Sequence, residues 1–93
     1  MANRSLHATI HGRVQMVGFR YFVLGHAERL GLTGWVRNGA GGQTVEVVAE
    51  GDEAALDQLE AALRQGPTYA VVDSVESDRT EETQGFSDFS VQP

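Results

Sequence analysis

Two short segments hold the residue types that could do chemistry in this 93-residue chain. The first is Gly12-Arg13-Val14-Gln15-Met16-Val17-Gly18-Phe19-Arg20, where a strand-like stretch gives way to a helix-like one. A loop at such a junction can aim successive backbone N–H groups at one point, beside the positive end of the helix. That arrangement cradles anions, phosphate above most others. Arg20 stands at the start of the helix and can add a planar guanidinium to the cradle. The second segment, Gly34-Trp35-Val36-Arg37-Asn38-Gly39, ends a strand on a carboxamide. The Asn38 side chain carries an acceptor oxygen and a donor nitrogen, so it can orient a water molecule but is too weak a base to deprotonate one. Together the segments predict a phosphate site with a neutral group that positions water. The chain has no cysteine, so no thiolate nucleophile is available and direct attack by water fits. His7, His11 and His26 show no ligand spacing with carboxylates, and no metal or cofactor is expected.

The elements that must position these groups follow from periodicity. Leu6 to Arg13 alternates, with Leu6, Ala8, Ile10 and Gly12 on one face and His7, Thr9, His11 and Arg13 on the other, which predicts a half-buried strand. Phe19, Phe22, Val23, Ala27 and Leu30 recur at helical spacing, and Gly31 is a C-terminal stop. Gly25 weakens this helix. Thr33 to Asn38 reads as a second strand and Gly39-Ala40-Gly41-Gly42 as a turn. Gln43 to Glu50 alternates again, with Val45, Val47 and Ala49 inward. A second helix starts at an Asp52 N-cap, with Glu53 in its first turn, carries the stripe Ala55, Leu56, Leu59, Ala62, Leu63, and stops at Gly66-Pro67. Val71 to Asp78 predicts a fourth strand, Thr80 to Gly85 a loop, and Phe86 to Val91 a last strand at a sheet edge. The order β-α-β-β-α-β predicts an α+β fold, the ferredoxin-like split βαβ sandwich, with two helices on one face of an antiparallel sheet. The other sheet face is expected to be open, which suits His7, Thr9, Glu46 and Glu50.

Composition bounds the possibilities. Ninety-three residues, 41% of them hydrophobic, suffice for one core that buries roughly 60–70% of the unfolded surface. No stretch is apolar enough to span a membrane, and Met1 to Ile10 carries no signal-peptide pattern. With no cysteine, a cytoplasmic location is the expectation. The net charge of −6 hides an asymmetry: Arg4, Arg13, Arg20, Arg29 and Arg37 precede residue 40 against one acid, Glu28. An acidic chain is a poor general nucleic-acid binder, whereas its positive first half can attract a small anion. Arg4, Arg29, Arg64 and Arg79 are expected to be solvated surface charge, and Arg13 and Arg37 rim charges. Phe19, Phe22 and Trp35 are assigned to core or sheet packing.

Both segments, their order and the chain length resemble the acylphosphatases, whose signature reads G-[KR]-V-Q-G-V-x-[FY]-R, followed by G-W-V-x-N about a dozen and a half residues on. The resemblance covers essentially the whole chain and implies one acylphosphatase-like domain over residues 1–93. Two linked motifs at the right separation are far more specific than a lone glycine pattern. The family hydrolyses the carboxyl–phosphate bond of acyl phosphates without a metal. By motif position, phosphate binding falls on Arg20 and on the backbone of Gln15, Met16, Val17, Gly18 and Phe19, and orientation of the attacking water falls on Asn38. The implied partners are a small acyl phosphate, with phosphate or sulfate as site ligands, and the chain is expected to be a monomer that binds neither nucleic acid nor membrane. Met16 departs from the pattern, which has glycine there. If the backbone at that position requires a positive φ, methionine costs roughly 1–2 kcal/mol, and strain is the expectation because strained backbone clusters at functional loops.

Two other classes compete with the hydrolase. One is an acylphosphatase-like module that holds an anion but turns over little because of Met16. The other is an RNA-binding domain, since such domains share this element order. That class stacks bases on aromatics of the central strands, and Gln43 to Glu50 has no aromatic and two acids.

Overall fold

The structure is a computed structural model and describes residues 3–93. Its elements are β1 (Asn3–Arg13), α1 (Phe19–Arg29), β2 (Thr33–Asn38), β3 (Thr44–Asp52), α2 (Glu53–Gln65), β4 (Val71–Thr80) and β5 (Phe89–Gln92). The strands form one sheet in the order β4-β1-β3-β2-β5. Apolar residues alternate along β1 and β3, so Leu6, Ala8 and Ile10 meet Ala49, Val47 and Val45 directly across the antiparallel ladder. They bury one face under the two helices, against Phe19, Val23 and Ala27 of α1 and Leu56, Leu59 and Leu63 of α2. This is the ferredoxin-like sandwich expected from the element order. Among the described residues, no helix is long and apolar enough to cross a membrane.

Several details differ from the expectation. The four strands β4, β1, β3 and β2 are antiparallel, but β5 adds to β2 in parallel, pairing Trp35 with Ser90 and Arg37 with Gln92. The sheet is therefore mixed. The last strand begins at Phe89 rather than Phe86. Asp52 occupies the cap position of α2 with an extended backbone, yet its side chain makes no capping hydrogen bond.

Two charged residues also lie deeper than expected. Glu50 points to the sheet face away from the helices but is buried there, only 4% exposed. The irregular segment between β4 and β5 folds over it, and the Gln84 and Gly85 amides donate to its carboxylate at 2.6 and 3.0 Å. Charge-assisted bonds of this kind offset the cost of removing a carboxylate from water. Arg79 faces α2 and is half-buried, bonded to Asp57 and Glu60 at 2.9 and 3.0 Å. Burial pushes the Glu60 carboxyl up, but hydrogen bonds from Ser77, Arg64 and Arg79 outweigh it and hold Glu60 below its ordinary value.

The elements converge on one end of the sheet. There β1 leaves through a bulge between His11 and Gly12. Gly12 adopts φ 136°, and a β-carbon at that position would run into the Val71 carbonyl oxygen of β4. Only glycine allows this close approach. The bulge turns the chain out of the sheet and into the Val14–Gly18 loop, which lies beside the end of β2 that carries Asn38.

Candidate active site

The loop between β1 and α1 is fixed from below and from the side. Val14 is 1% exposed and Val17 packs partly against the same core, so the alternate residues Met16 and Gly18 face outward. The Gln15 side chain reaches sideways, and its Nε2 donates to the Gly39 and Thr44 carbonyls, at 3.0 Å each. Those carbonyls close the β2–β3 hairpin, where the Gly39 amide also donates to the Thr44 carbonyl at 2.9 Å. One carboxamide thus locks the loop to the hairpin that carries Asn38. Motif position assigned phosphate binding to the backbone of Gln15; its side chain has this separate positioning task.

Two residues of the loop, Met16 and Gly18, have positive φ. Gly18 caps α1 in the left-handed region at φ 77° without a side-chain cap, and its carbonyl accepts from the Phe22 amide at 3.0 Å. Among the described residues, none of the N–H groups from Gln15 to Phe19 donates to another group of the chain. Such a row of unpartnered amides at a helix N-terminus concentrates positive potential. First-turn acids, which would oppose an anion, are missing from α1.

Arg20 and Asn38 line the same shallow groove of about 110 Å³, with Val14 and Phe19 at its floor and Met16 and Tyr21 at its mouth. The Arg20 Nη1 donates to the carbonyl of Gln92 in β5 at 3.0 Å. A guanidinium carries five N–H donors, so this bond steadies the group and leaves the rest of the fork for an anion. The terminal strand, parallel to β2, is thereby a positioning element that neither motif contains. Its role left no local signal in the sequence, because Arg20 and Gln92 lie 72 residues apart.

Of the residues set aside as rim or packing groups, Arg37 is exposed on the opposite sheet face. Its guanidinium carbon lies 4.8 Å from the Trp35 ring centroid, and its Nε donates to Glu46 at 3.2 Å. Phe19 is buried and Phe22 packs against it at 5.8 Å between centroids. Trp35 packs on the sheet outside the helix-covered core. Among the described residues, no group of three or more His, Cys, Asp or Glu side chains gathers at metal-binding distance.

Met16 has φ 62°, the one described non-glycine residue with a positive φ, and its side chain is fully exposed. The strain expected at this position is therefore present. The left-handed conformation costs an L-residue roughly 1–2 kcal/mol, while glycine's extra unfolded-state freedom costs up to ~1 kcal/mol. Met16→Gly is expected to raise stability by up to about 1 kcal/mol, seen as a rise of a few degrees in Tm for a domain of this size. Inorganic phosphate should bind the variant at least as well as the parent. A lower Tm in thermal unfolding would contradict the strain.

The geometry agrees with what the chain is similar to. The family model described as Acylphosphatase matches residues 6–91. An acylphosphatase of Caldivirga maquilingensis is 48% identical over 82 residues, which span 88% of this chain and 86% of that protein. The crystal structure of acylphosphatase from Bacillus subtilis superposes with a TM-score of 0.93 at 36% identity, covering 97% of this chain and 99% of that one. The structure of an acylphosphatase from Coxiella burnetii gives 0.91 at 37% identity, with 98% and 94% covered. The chain belongs to the acylphosphatase family.

Proposed function

We propose that the chain hydrolyses the carboxyl–phosphate bond of acyl phosphates at the groove between the Val14–Gly18 loop and Asn38, without a metal. One observation carries the reading: Arg20 and Asn38 line a single groove with Met16, Gly18 and Phe19, whose amides have no partner among the described residues. Arg20 and the amides of Gln15 to Phe19 hold the phosphoryl oxygens. Asn38 holds a water in line with the bond to the acyl group. The water oxygen bonds to phosphorus, the phosphorus–oxygen bond to the acyl carbon's oxygen breaks, and the carboxylate leaves with that electron pair. The water's proton passes to the phosphate itself. A carboxylate needs little protonation to depart, so the site works by positioning and charge stabilisation rather than by a strong acid.

The site is built wholly from elements of one chain, which supports action as a single domain and a monomer. The cysteine-free composition supports a cytoplasmic setting. Inorganic phosphate, the product, is the expected site ligand and competitive inhibitor. The purified chain is expected to hydrolyse acetyl phosphate or benzoyl phosphate at an undiminished rate in EDTA. Loss of turnover on chelation, restored by a divalent ion, would overturn the metal-free mechanism. Absence of turnover under all conditions would leave the anion-binding module as the better description.

A further inference from the structure

We infer that Glu50 is a positioning residue for the phosphate site: its buried carboxylate clamps the segment that leads into β5, and β5 presents the Gln92 carbonyl that steadies Arg20. The inference rests on the hydrolase reading above, in which Arg20 holds the phosphoryl group, and deepens it.

β5 needs an external hold. It has four residues and lies at the edge of the sheet, with β2 as its one neighbour. The pairing is parallel, the less stable kind per residue. The preceding stretch, residues 81–88, has no regular secondary structure. It joins the sheet at Asp88, whose carbonyl accepts from the Gly34 amide at 2.8 Å. Among the described residues, Glu50 is the one group of the sheet that hydrogen-bonds to the stretch from Gln84 to Ser87.

Glu50 is built as that hold. Its backbone pairs with Ser5 of β1 on one side and Thr33 of β2 on the other, so the sheet fixes it from both sides. Oε2 accepts from the Gln84 amide at 2.6 Å and from the Ser5 hydroxyl at 3.4 Å, and Oε1 accepts from the Gly85 amide at 3.0 Å. Gly85 has φ 78°, a conformation open to glycine, where the chain turns over the carboxylate. A carboxylate is costly to bury. This one lies on the sheet face away from the helices and packs nothing in their core, so its bonds to this segment are its task.

The clamped chain ends in the site. From Gly85 it runs through Phe89, which is buried in the core, to Gln92, whose carbonyl accepts from the Arg20 Nη1 at 3.0 Å. With the clamp released, the start of β5 is free to fray and Gln92 loses its fixed place. Arg20 must then be ordered by the arriving anion, which lowers affinity.

The test is Glu50→Gln, which keeps the shape of the side chain, removes its charge and offers one acceptor oxygen to two amides. The KM for acetyl phosphate and the inhibition constant of inorganic phosphate are expected to rise together, about twofold to thirtyfold, the range for a residue coupled to a site through intervening contacts. The change in kcat should be smaller. Glu60→Gln is the control for stability alone: it weakens the Arg79 network on β4, at the opposite edge of the sheet from β5, so Tm should fall while phosphate inhibition stays parental. A second measurement uses the parent chain: hydrogen exchange of the Gln84 and Gly85 amides with and without saturating inorganic phosphate. Coupling between two sites is reciprocal, so phosphate should slow exchange at both amides by a similar factor. If Glu50→Gln does not fold, the exchange measurement decides alone. Parental phosphate inhibition in folded Glu50→Gln, an equal rise in Glu60→Gln, or exchange unmoved by phosphate would reduce Glu50 to a structural residue and leave the hydrolase intact. Failure of the parent to bind phosphate and to hydrolyse acetyl phosphate would overturn the hydrolase and the positioning role together.

Discussion

Replacing Arg20 by alanine is expected to abolish phosphate binding and turnover together, with kcat/KM falling by about 10³-fold or more, the range seen when a guanidinium or a preorganised donor is taken from a phosphoryl-transfer or oxyanion site. Arg20 lines the groove beside the loop amides and is the one cationic side chain there. Its other anchor is the Gln92 carbonyl, so the guanidinium is preorganised and gives up little freedom when an anion arrives. Lysine should rescue poorly. An ammonium is a point charge without a fork and cannot hold the Gln92 carbonyl and two phosphoryl oxygens in one plane. Steady-state kinetics with an acyl phosphate, together with the inhibition constant for inorganic phosphate, reads both effects. Retention of parental phosphate affinity in Arg20→Ala would remove Arg20 from the cradle.

Asn38→Ala is expected to behave differently. Turnover should fall about 10²- to 10³-fold in kcat, while inhibition by inorganic phosphate stays within about twofold of the parent. The carboxamide is proposed to hold the water and not the phosphate, so its loss weakens the transition state and spares the ground state. Asn38 ends β2 at the hairpin that Gln15 ties to the loop, and the Gln15 bonds go to the Gly39 and Thr44 carbonyls rather than to Asn38 itself. The loop should therefore survive the substitution, and Tm should change little. If phosphate affinity fell as steeply as in Arg20→Ala, the two roles would not be separable.

Most of the architecture was legible because it is local. Alternation along β1 and β3, the stripe of α2 and the stops at Gly31 and Gly66-Pro67 are patterns within a dozen residues, and the element order then restricts the fold. The proposed cradle loop is a local feature for the same reason: a run of amides before a helix belongs to one short segment. What fixes the Gln15 and Arg20 side chains was not legible. The Gln15 side chain bonds groups 24 and 29 residues away, and Arg20 bonds a carbonyl 72 residues away. Neither contact has a sequence period, and both depend on how the sheet brings its edges together. Glu50 illustrates the limit from the other side. Its alternation assigned it correctly to the face away from the helices, but only the path of the Glu81–Asp88 segment decides that this part of the face is covered. The depth of Arg79 likewise depends on α2 lying over β4. Met16 was marked by the motif it breaks, and its backbone angle agrees with the strain inferred there.

The loop amides and Arg20 are proposed to hold a phosphoryl group while Asn38 stands beside it. An NMR titration of the chain with inorganic phosphate tests this most directly, because it reads every backbone amide and the arginine side chains at once. Saturable shifts are expected, centred on the Gln15 to Phe19 amides and the Arg20 guanidinium, with a smaller response at Asn38 and no response on the sheet face that carries Trp35. Saturable binding that moves the Arg37 and Trp35 signals, and leaves the Gln15 to Phe19 amides unchanged, would contradict it.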